Sequence, residues 1–352
     1  MNSFMRTIVI AALGAAGLCA VHAQDAGAPL TLAGTTAITG YDGDFDHLAA
    51  DVAGHRLFVA GEDGGTLEVF DLRDGHHLRT VKEMATPHGV RYLPHGNQLL
   101  VTNSGGDGMS MLLDATTFRR VGAVPLTPGA DAMGFDAARQ HAWIVAGGKN
   151  AEPHRPYTVV ADVDARSGRI AGEVRFDTDF VEGVAIEQAG TRAFINVAGL
   201  HQVAVVDRNT HQVLQTWTLQ EGRDNSAISL DEANARLFVI TRKPFKLLVL
   251  DTHDGHTVAS FDAPQRANDL FYDARNHRVY VLGDHYVASF QQVDADHYSE
   301  LPRVQTAKGA KTGLLVPELG LLYVAVAGSK EQPAQLRRYR VHGDVSVGAR
   351  QP

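Results

Sequence analysis

The stretch QLLVTN at residues 98–103 is one of seven short apolar runs that recur along the chain. The others are RLFVAG (56–61), AWIVAGG (142–148), AFINVAG (193–199), LFVIT (237–241), VYVLG (279–283) and LYVAVAG (322–328). One aromatic or leucine residue of each run can be taken as equivalent, which gives intervals of 42, 43, 51, 44, 42 and 43 residues between Phe58, Leu100, Trp143, Phe194, Phe238, Tyr280 and Tyr323. A period in the low forties is typical of four-stranded propeller blades.

Each unit contains four stretches with the alternation of a half-buried strand. An alternating stretch such as VAIEQ (184–188) comes first, the apolar run follows after a polar turn, and a third stretch usually ends at an aspartate. Asp71, Asp207 and Asp251 at such ends are expected to open turns through a local side-chain hydrogen bond. A more polar fourth stretch closes the unit, and no stretch of a dozen residues has a helical period. The pattern predicts an all-β, seven-bladed β-propeller.

The two ends of this domain complement each other. The seventh unit lacks a fourth strand after QLRRYRV (335–341), whereas PLTLAGTTAI (29–38) precedes the first unit as a spare strand. Pairing the two would close the ring and remove an exposed edge. We therefore expect one monomeric propeller domain over residues 24–341, closed by an N-terminal strand and followed by a flexible tail over residues 342–352.

The first 23 residues have the features of a cleavable signal peptide. Arg6 precedes the apolar run TIVIAALGAAGLCAV, and small residues follow at a cleavage position. The chain is therefore expected to be exported, to the periplasm or beyond, and to lose its single cysteine, Cys19, with the signal. No other apolar stretch approaches the ~20 residues of a membrane span. A formal net charge of −8 disfavours a partner that is duplex nucleic acid.

LLVTN at 99–103, with its relatives LFVAG (57–61) and VYVLG (279–283), resembles the repeat of the YVTN family. An exported single-domain propeller of this length is similar to the YncE-like periplasmic proteins, and the resemblance covers nearly all of the chain after the signal peptide. It implies the propeller fold and a binding or interaction role. The motif is structural, so it carries no catalytic residues over to this chain.

A ring of polar residues is predicted at one mouth of the central channel. Counting back twelve residues from each equivalent position reaches Asp46, His88, Asp131, Glu182, Ser226, Asn268 and Lys311. His47 and Asp269 follow one step along, and the turn of the fifth unit looks one residue longer, so Asn225 is expected in place of Ser226. Since innermost strands line the channel of a propeller, these side chains should surround its opening. Polar strand starts around a wet channel would produce the same ring without a ligand.

The 51-residue interval adds a long loop, GGKNAEPHRPY (147–157), which should overhang the same mouth. Other loops on that face contribute acidic side chains in units one to three and basic side chains in units five and seven. Arg242 is one of the basic residues, and Glu62 is one of the acidic residues. A field with two signs suits a zwitterionic or anionic small molecule, or a peptide end.

Two sets of residues are alternative candidates for the ligands of a divalent metal ion. His47, His88, Asp46 and Asp131 come from adjacent units and offer nitrogen and oxygen ligands that suit zinc. Glu182, Asn225, Asn268 and Asp269 offer oxygen ligands that suit calcium, and this set is similar in residue type to the ligands of regucalcin-type lactonase propellers.

Nucleophilic catalysis has no support in the sequence. After removal of the signal there is no cysteine, and no G-x-S-x-G elbow occurs. The sequence thus favours an exported propeller that binds a small molecule, peptide or protein at its axial mouth without catalysis. The alternatives are a metal-assisted hydrolase such as a lactonase, and an accessory subunit to a redox enzyme, because heavy subunits of amine dehydrogenases share this architecture.

Overall fold

The computed structural model describes residues 27–343, so the signal peptide, Cys19 and all of the tail beyond Gly343 lie outside the described residues. Within 27–343 the chain is all-β, with strands in seven sheets, four single 3₁₀ turns and no α-helix. The seven sheets confirm the predicted seven-bladed β-propeller. The 3₁₀ turns are Pro94–Gly96, Gly148–Asn150, Ala198–Leu200 and Pro317–Leu319.

The strands follow the chain from blade to blade. A first strand, β1, is Leu30–Ala37. In each blade the strands are given from the inside outward. Blade 1 contains β2 Leu48–Asp51, β3 Arg56–Gly61, β4 Thr66–Asp71 and β5 His77–Val81, and blade 2 contains β6 Pro87–Leu93, β7 Gln98–Asn103, β8 Met109–Asp114 and β9 Arg120–Pro125. Blade 3 contains β10 Met133–Asp136, β11 His141–Gly147, β12 Thr158–Asp164 and β13 Ile170–Phe176. Every pair of sequential strands within a blade is antiparallel.

Blades 4 to 7 repeat the arrangement. Blade 4 contains β14 Val184–Ile186, β15 Arg192–Val197, β16 Gln202–Asp207 and β17 Val213–Thr218, and blade 5 contains β18 Ile228–Asp231, β19 Arg236–Arg242, β20 Phe245–Asp251 and β21 Thr257–Asp262. Blade 6 contains β22 Asp269–Asp273, β23 Arg278–Leu282, β24 Tyr286–Gln292, β25 Tyr298–Glu300 and β26 Val304–Gln305. Blade 7 contains β27 Thr312–Val316, β28 Leu321–Val326 and β29 Gln335–Val341, together with β1. In blade 6 the outer strand is broken, since β25 and β26 both pair with β24.

The ring closes through the two ends of the chain, as predicted. β1 is the outermost strand of blade 7 and pairs antiparallel with β29, from Leu30 opposite Val341 to Ala37 opposite Gln335. The backbone of His342 also donates to the carbonyl of Pro29 (3.1 Å). The edge that β29 would otherwise present to solvent is therefore covered.

The core lies between adjacent blades. The equivalent residue of each second strand is fully buried, from Phe58 in blade 1 to Tyr323 in blade 7. Trp143 and Trp217 are both buried, and Trp143 stacks on His211 of the next blade, with ring centroids 5.6 Å apart. The apolar runs of the sequence thus form the inter-blade packing that holds the innermost strands around the channel.

The expected aspartate turns are present. Asp207 Oδ1 accepts hydrogen bonds from the backbone N–H groups of Asn209 and Thr210 (both 2.8 Å), and the carboxylates of Asp71 and Asp251 accept equivalent bonds. These turns lie on the face opposite the start of the innermost strands, so they leave the channel mouth to other residues.

Candidate functional site

A cavity of about 420 Å³ occupies the axial mouth of the propeller. Eight of the nine residues predicted at this mouth line it: Asp46, His47, His88, Asp131, Glu182, Asn268, Asp269 and Lys311. Ser226, Glu62, Lys149, Asn150 and Arg242 also contribute to the wall. The structure therefore brings together residues from all seven blades.

Backbone hydrogen bonds between blades hold the ring in place. The N–H of His47 donates to the carbonyl of His88 (3.2 Å), and the N–H of Asp269 donates to the carbonyl of Lys311 (3.2 Å). The N–H of Gly183 donates in the same way to the carbonyl of Ser226 (3.2 Å). Because neighbouring strand starts are tied at the backbone, their side chains meet at fixed spacing around the opening.

One half of the wall is a chain of carboxylates and imidazoles. Asp46 Oδ2 lies 2.6 Å from Nδ1 of His88, and Asp269 Oδ1 lies 3.0 Å from Nδ1 of His47. The side-chain amide of Asn268 donates to the other oxygen of Asp46 (3.2 Å). Asp131 Oδ1 lies 3.5 Å from Nδ1 of His88. Four blades thus share one connected polar network.

The charges of this network stabilise one another. Burial alone would lower the pKa of His88, but Asp131 and the hydrogen bond to Asp46 raise it to about 9. For His47, burial is likewise outweighed by Asp46 and Asp269, so its pKa is well above the ordinary value. Burial would raise the pKa of Asp46, yet the two imidazoles hold it well below its usual range. At neutral pH, with no cation bound, both imidazoles are therefore protonated.

The other half of the wall is an ion cluster around Glu182. Lys149 Nζ donates to Glu182 Oε1 (3.0 Å), and a guanidinium nitrogen of Arg242 lies 3.7 Å from the same oxygen. Burial raises the pKa of Glu182, and Lys149 and Arg242 oppose this shift. Lys149 comes from the long loop at 147–157, so that loop overhangs the mouth as predicted.

The oxygen set that suits calcium is not assembled. Arg242 donates to Asn268 Oδ1 (2.8 Å) while its guanidinium also faces Glu182, so a cation already lies between two of the expected ligands. Asn225 is fully buried and does not line the cavity. The structure therefore brings Glu182, Asn268 and Asp269 to the mouth but does not bring Asn225 there with them.

Asn225 was assigned to the ring through an incorrect register. β18 begins two residues after Ser226, which is the same offset as that between Asp46 and β2, so Ser226 holds the ring position. The side-chain amide of Asn225 instead donates to Asn196 Oδ1 and to the carbonyl of Gln202 (both 2.9 Å). It therefore ties the fifth blade to the fourth and faces away from the mouth.

Arg91 is a functional candidate that the sequence reasoning missed. It lies three residues after His88 on the innermost strand β6, lines the cavity, and sits 4.2 Å from the ring centroid of Phe135. Within residues 27–343 its guanidinium makes no hydrogen bond or ion pair with another side chain or the backbone, and its side chain is exposed to the open channel. The sequence does carry a signal for Arg91. Among the residues that lie three positions after each member of the polar ring it is the one charged side chain, and its equivalents include Ala49, Gly134, Ala185 and Phe271.

Between the polar ring and Arg91 lies an apolar belt. The second residue after each ring position also lines the cavity, and six of the seven are apolar side chains: Leu48, Val90, Met133, Val184, Ile228 and Leu270. Three residues of strand separate His88 from Arg91, which corresponds to roughly 10 Å along the channel. The funnel thus has a charged mouth, an apolar throat and an unpaired cation below it.

Two groups of side chains at the mouth have metal-ligand spacing. One ligand atom from each of Asp46, His47 and Asp131 lies within 4.8 Å of the others, and the same holds for Asp46, Glu62 and His88. The predicted set of two histidines and two aspartates therefore does not converge as one group: three of its members form the first triad, and His88 belongs to the second, which adds Glu62.

Comparison with known proteins supports the fold. No family model matches the chain, and no curated protein matches its sequence. Among solved structures, a chain in the "Crystal Structure of Mitotic Checkpoint Complex" is similar, with a TM-score of 0.72 and 14% identity over 96% of this chain and 100% of that chain. The class is thus a seven-bladed β-propeller. The closer resemblance to the YVTN repeat family stays a prediction.

None of the helical segments in residues 27–343 has the length and hydropathy needed to cross a bilayer.

Proposed function

We propose that this protein binds a small anionic or zwitterionic organic molecule in its axial funnel and does no chemistry on it. The observation that carries the proposal is Arg91, a guanidinium that lines the cavity without a counter-ion among the described residues. Clefts with a few placed polar groups and apolar walls are the usual form of small-molecule sites. A carboxylate would give Arg91 the partner that residues 27–343 do not provide.

The rest of the funnel fits such a ligand. The apolar belt accepts a short hydrocarbon segment, and the carboxylates of the mouth can accept hydrogen bonds from an amine or hydroxyl at the other end of the molecule. Phe135 stacks against Arg91 and holds its guanidinium plane, which reduces the entropy lost when an anion binds. The preferred ligand class is therefore a linear molecule with a carboxylate at one end and a donor group at the other.

Isothermal titration calorimetry with 5-aminovalerate, succinate and pentylamine tests the proposal. The two carboxylates should bind and the amine alone should not. Arg91→Met should weaken carboxylate binding by about 10- to 150-fold, which corresponds to the ~1.5–3 kcal/mol of a charge-assisted hydrogen bond. The matched control is Arg169→Met, because Arg169 is exposed in a turn after β12 and does not line the cavity.

Two results would contradict the proposal. One is the absence of carboxylate binding to the parent protein, and the other is equal binding by the parent and Arg91→Met. If pentylamine binds as tightly as 5-aminovalerate, the carboxylates of the mouth rather than Arg91 select the ligand, and the proposed ligand class is wrong.

Export is a separate part of the proposal. The supporting feature is the signal-peptide pattern over residues 1–23, with cleavage before Gln24. Intact-mass measurement of the protein from the periplasmic fraction of an expressing bacterium should give the chain that begins at Gln24. Recovery of the uncleaved chain from the cytoplasm alone would contradict it.

A further inference from the structure

We propose that the axial mouth also holds a divalent first-row metal ion, with Asp46, His47 and Asp131 as its protein ligands. This goes beyond the proposed function, because the ion would be held with or without an organic molecule in the funnel. One ligand atom from each residue lies within 4.8 Å of the others, and His47 Nε2 lies 3.7 Å from Asp46 Oδ1. Two ligand atoms that each lie about 2.0–2.2 Å from a shared tetrahedral ion are separated by roughly 3.3–3.6 Å, which is close to the distance between His47 Nε2 and Asp46 Oδ1.

Each of the three residues has its other polar atom fixed by a second partner. His47 Nδ1 is hydrogen-bonded to Asp269 (3.0 Å), and Asp46 Oδ2 is hydrogen-bonded to His88 (2.6 Å). Asp131 Oδ2 accepts a hydrogen bond from Asn150 (2.7 Å). Such outer contacts orient metal ligands and set the histidine tautomer.

The free atom of His47 points to this triad rather than to the neighbouring one. His47 Nε2 has no hydrogen-bond partner within the described part of the chain, so it is available to an ion. In the alternative group of Asp46, Glu62 and His88, both imidazole nitrogens are engaged, since His88 Nδ1 contacts Asp46 and Nε2 lies 3.0 Å from Ser104 Oγ. His88 therefore acts as a positioning residue.

The charge and donor types indicate the kind of ion. Two carboxylates would balance a divalent charge, and one imidazole with two carboxylates suits zinc or a similar transition metal better than calcium, which prefers six to eight oxygen ligands. A bound ion would replace the proton on His47, because both neutralise the same carboxylates. With three protein ligands, the remaining coordination positions would face the cavity.

The test uses untagged full-length protein, treated with a chelator, desalted and titrated with zinc chloride in the calorimeter without organic ligand. We expect one zinc ion per chain. His47→Ala should weaken zinc binding by roughly 100-fold or more, since one of three ligands is lost. The matched control is His76→Ala, because His76 is exposed in a turn on the opposite face.

Asp269→Asn keeps the size of the side chain and serves as a second variant. It should lower zinc affinity by about 10- to 100-fold, as expected for a lost outer carboxylate, while the circular dichroism spectrum and melting temperature stay those of the parent. Because zinc is titrated without organic ligand, the metal site and the carboxylate site are tested independently. The inference is overturned if the parent binds no zinc, if His47→Ala binds zinc as the parent does, or if His76→Ala loses it.

Discussion

Asp46 and His88 come from neighbouring blades, 42 residues apart, and their side chains are joined by a 2.6 Å hydrogen bond at the channel mouth. The two residues hold equivalent positions of consecutive repeats. These equivalent residues are in contact because the closed ring places the start of each innermost strand beside the start of the innermost strand in the next blade. The site is therefore shared between blades and depends on the closed ring.

Closure by β1 gives the first prediction. Deleting residues 24–38 removes β1 and exposes the edge of β29, so we expect aggregation or a large fall in melting temperature. Size-exclusion chromatography and thermal unfolding would measure both. Deleting residues 24–28 alone is the control, since it ends before β1 and should behave like the parent. A monomeric 24–38 deletion with the melting temperature of the parent would show that β1 is dispensable.

Tyr323 gives a prediction for alkaline pH. Its hydroxyl donates to the carbonyl of Leu72 (2.5 Å) across the interface of blades 7 and 1, and burial raises its pKa to about 12. A raised pKa means that the stabilising contribution is intact below the unfolded value, about 10, and is lost as pH rises toward 12. We expect the free energy of unfolding to fall over this window.

Tyr323→Phe should remove part of that pH dependence and, at pH 7, destabilise the fold by about 1–3 kcal/mol, because the buried carbonyl of Leu72 loses its donor. Urea unfolding at pH 7, 10 and 11.5 would compare the variant with the parent. Tyr157→Phe is the control, since Tyr157 is half-buried and its hydroxyl makes no hydrogen bond within residues 27–343. Identical pH dependence in the parent and Tyr323→Phe would argue against a buried hydroxyl at this seam.

Glu182 gives a prediction about ligand affinity. Glu182→Gln removes a negative charge from the cavity and frees Lys149 and Arg242 from their shared partner. Binding of succinate should become tighter, by roughly 2- to 10-fold, because the field in the funnel turns more positive. Glu318→Gln, an exposed residue outside the cavity, should change nothing. Weaker carboxylate binding in Glu182→Gln would mean that Glu182 contacts the ligand directly.

Asn225 gives a prediction in which stability changes but binding does not. Asn225→Ala leaves the oxygens of Asn196 and Gln202 without their donor, so unfolding should become easier by about 1–3 kcal/mol. Zinc and carboxylate affinities should stay those of the parent, because the side chain does not reach the cavity. Calorimetry and urea unfolding on the same sample would decide. A stable variant with impaired binding would return Asn225 to the ring.

The repeat made the fold and the ring accessible from the sequence. Period-two alternation and a period in the low forties determine which strand is innermost, and one residue of each innermost strand then locates the mouth. The prediction at Asn225 failed because it assumes a longer turn in the fifth unit, whereas the turn 232–235 between β18 and β19 has the same four residues as the turn 52–55 between β2 and β3. A slip of one residue moves a side chain from the channel to the blade interior.

The pairing of long side chains could not be predicted in the same way. Arg242 and Lys149 were placed on the correct face, but their convergence on Glu182 depends on rotamers and on the path of two loops. The strand starts do not predict Arg91, because it lies three residues beyond His88 along β6. An unpaired charge is a property of its neighbours in space, and the sequence does not specify those neighbours.

The most direct test of a ligand-binding funnel is a crystal structure of the protein with 5-aminovalerate. We predict ligand density along the axis, with the carboxylate within hydrogen-bonding distance of the Arg91 guanidinium, the hydrocarbon segment in the apolar belt and the amine at the carboxylates of the mouth. Crystals of Arg91→Met under the same conditions should lack that density. Ligand bound elsewhere on the propeller, or bound in the funnel equally in both proteins, would contradict the account.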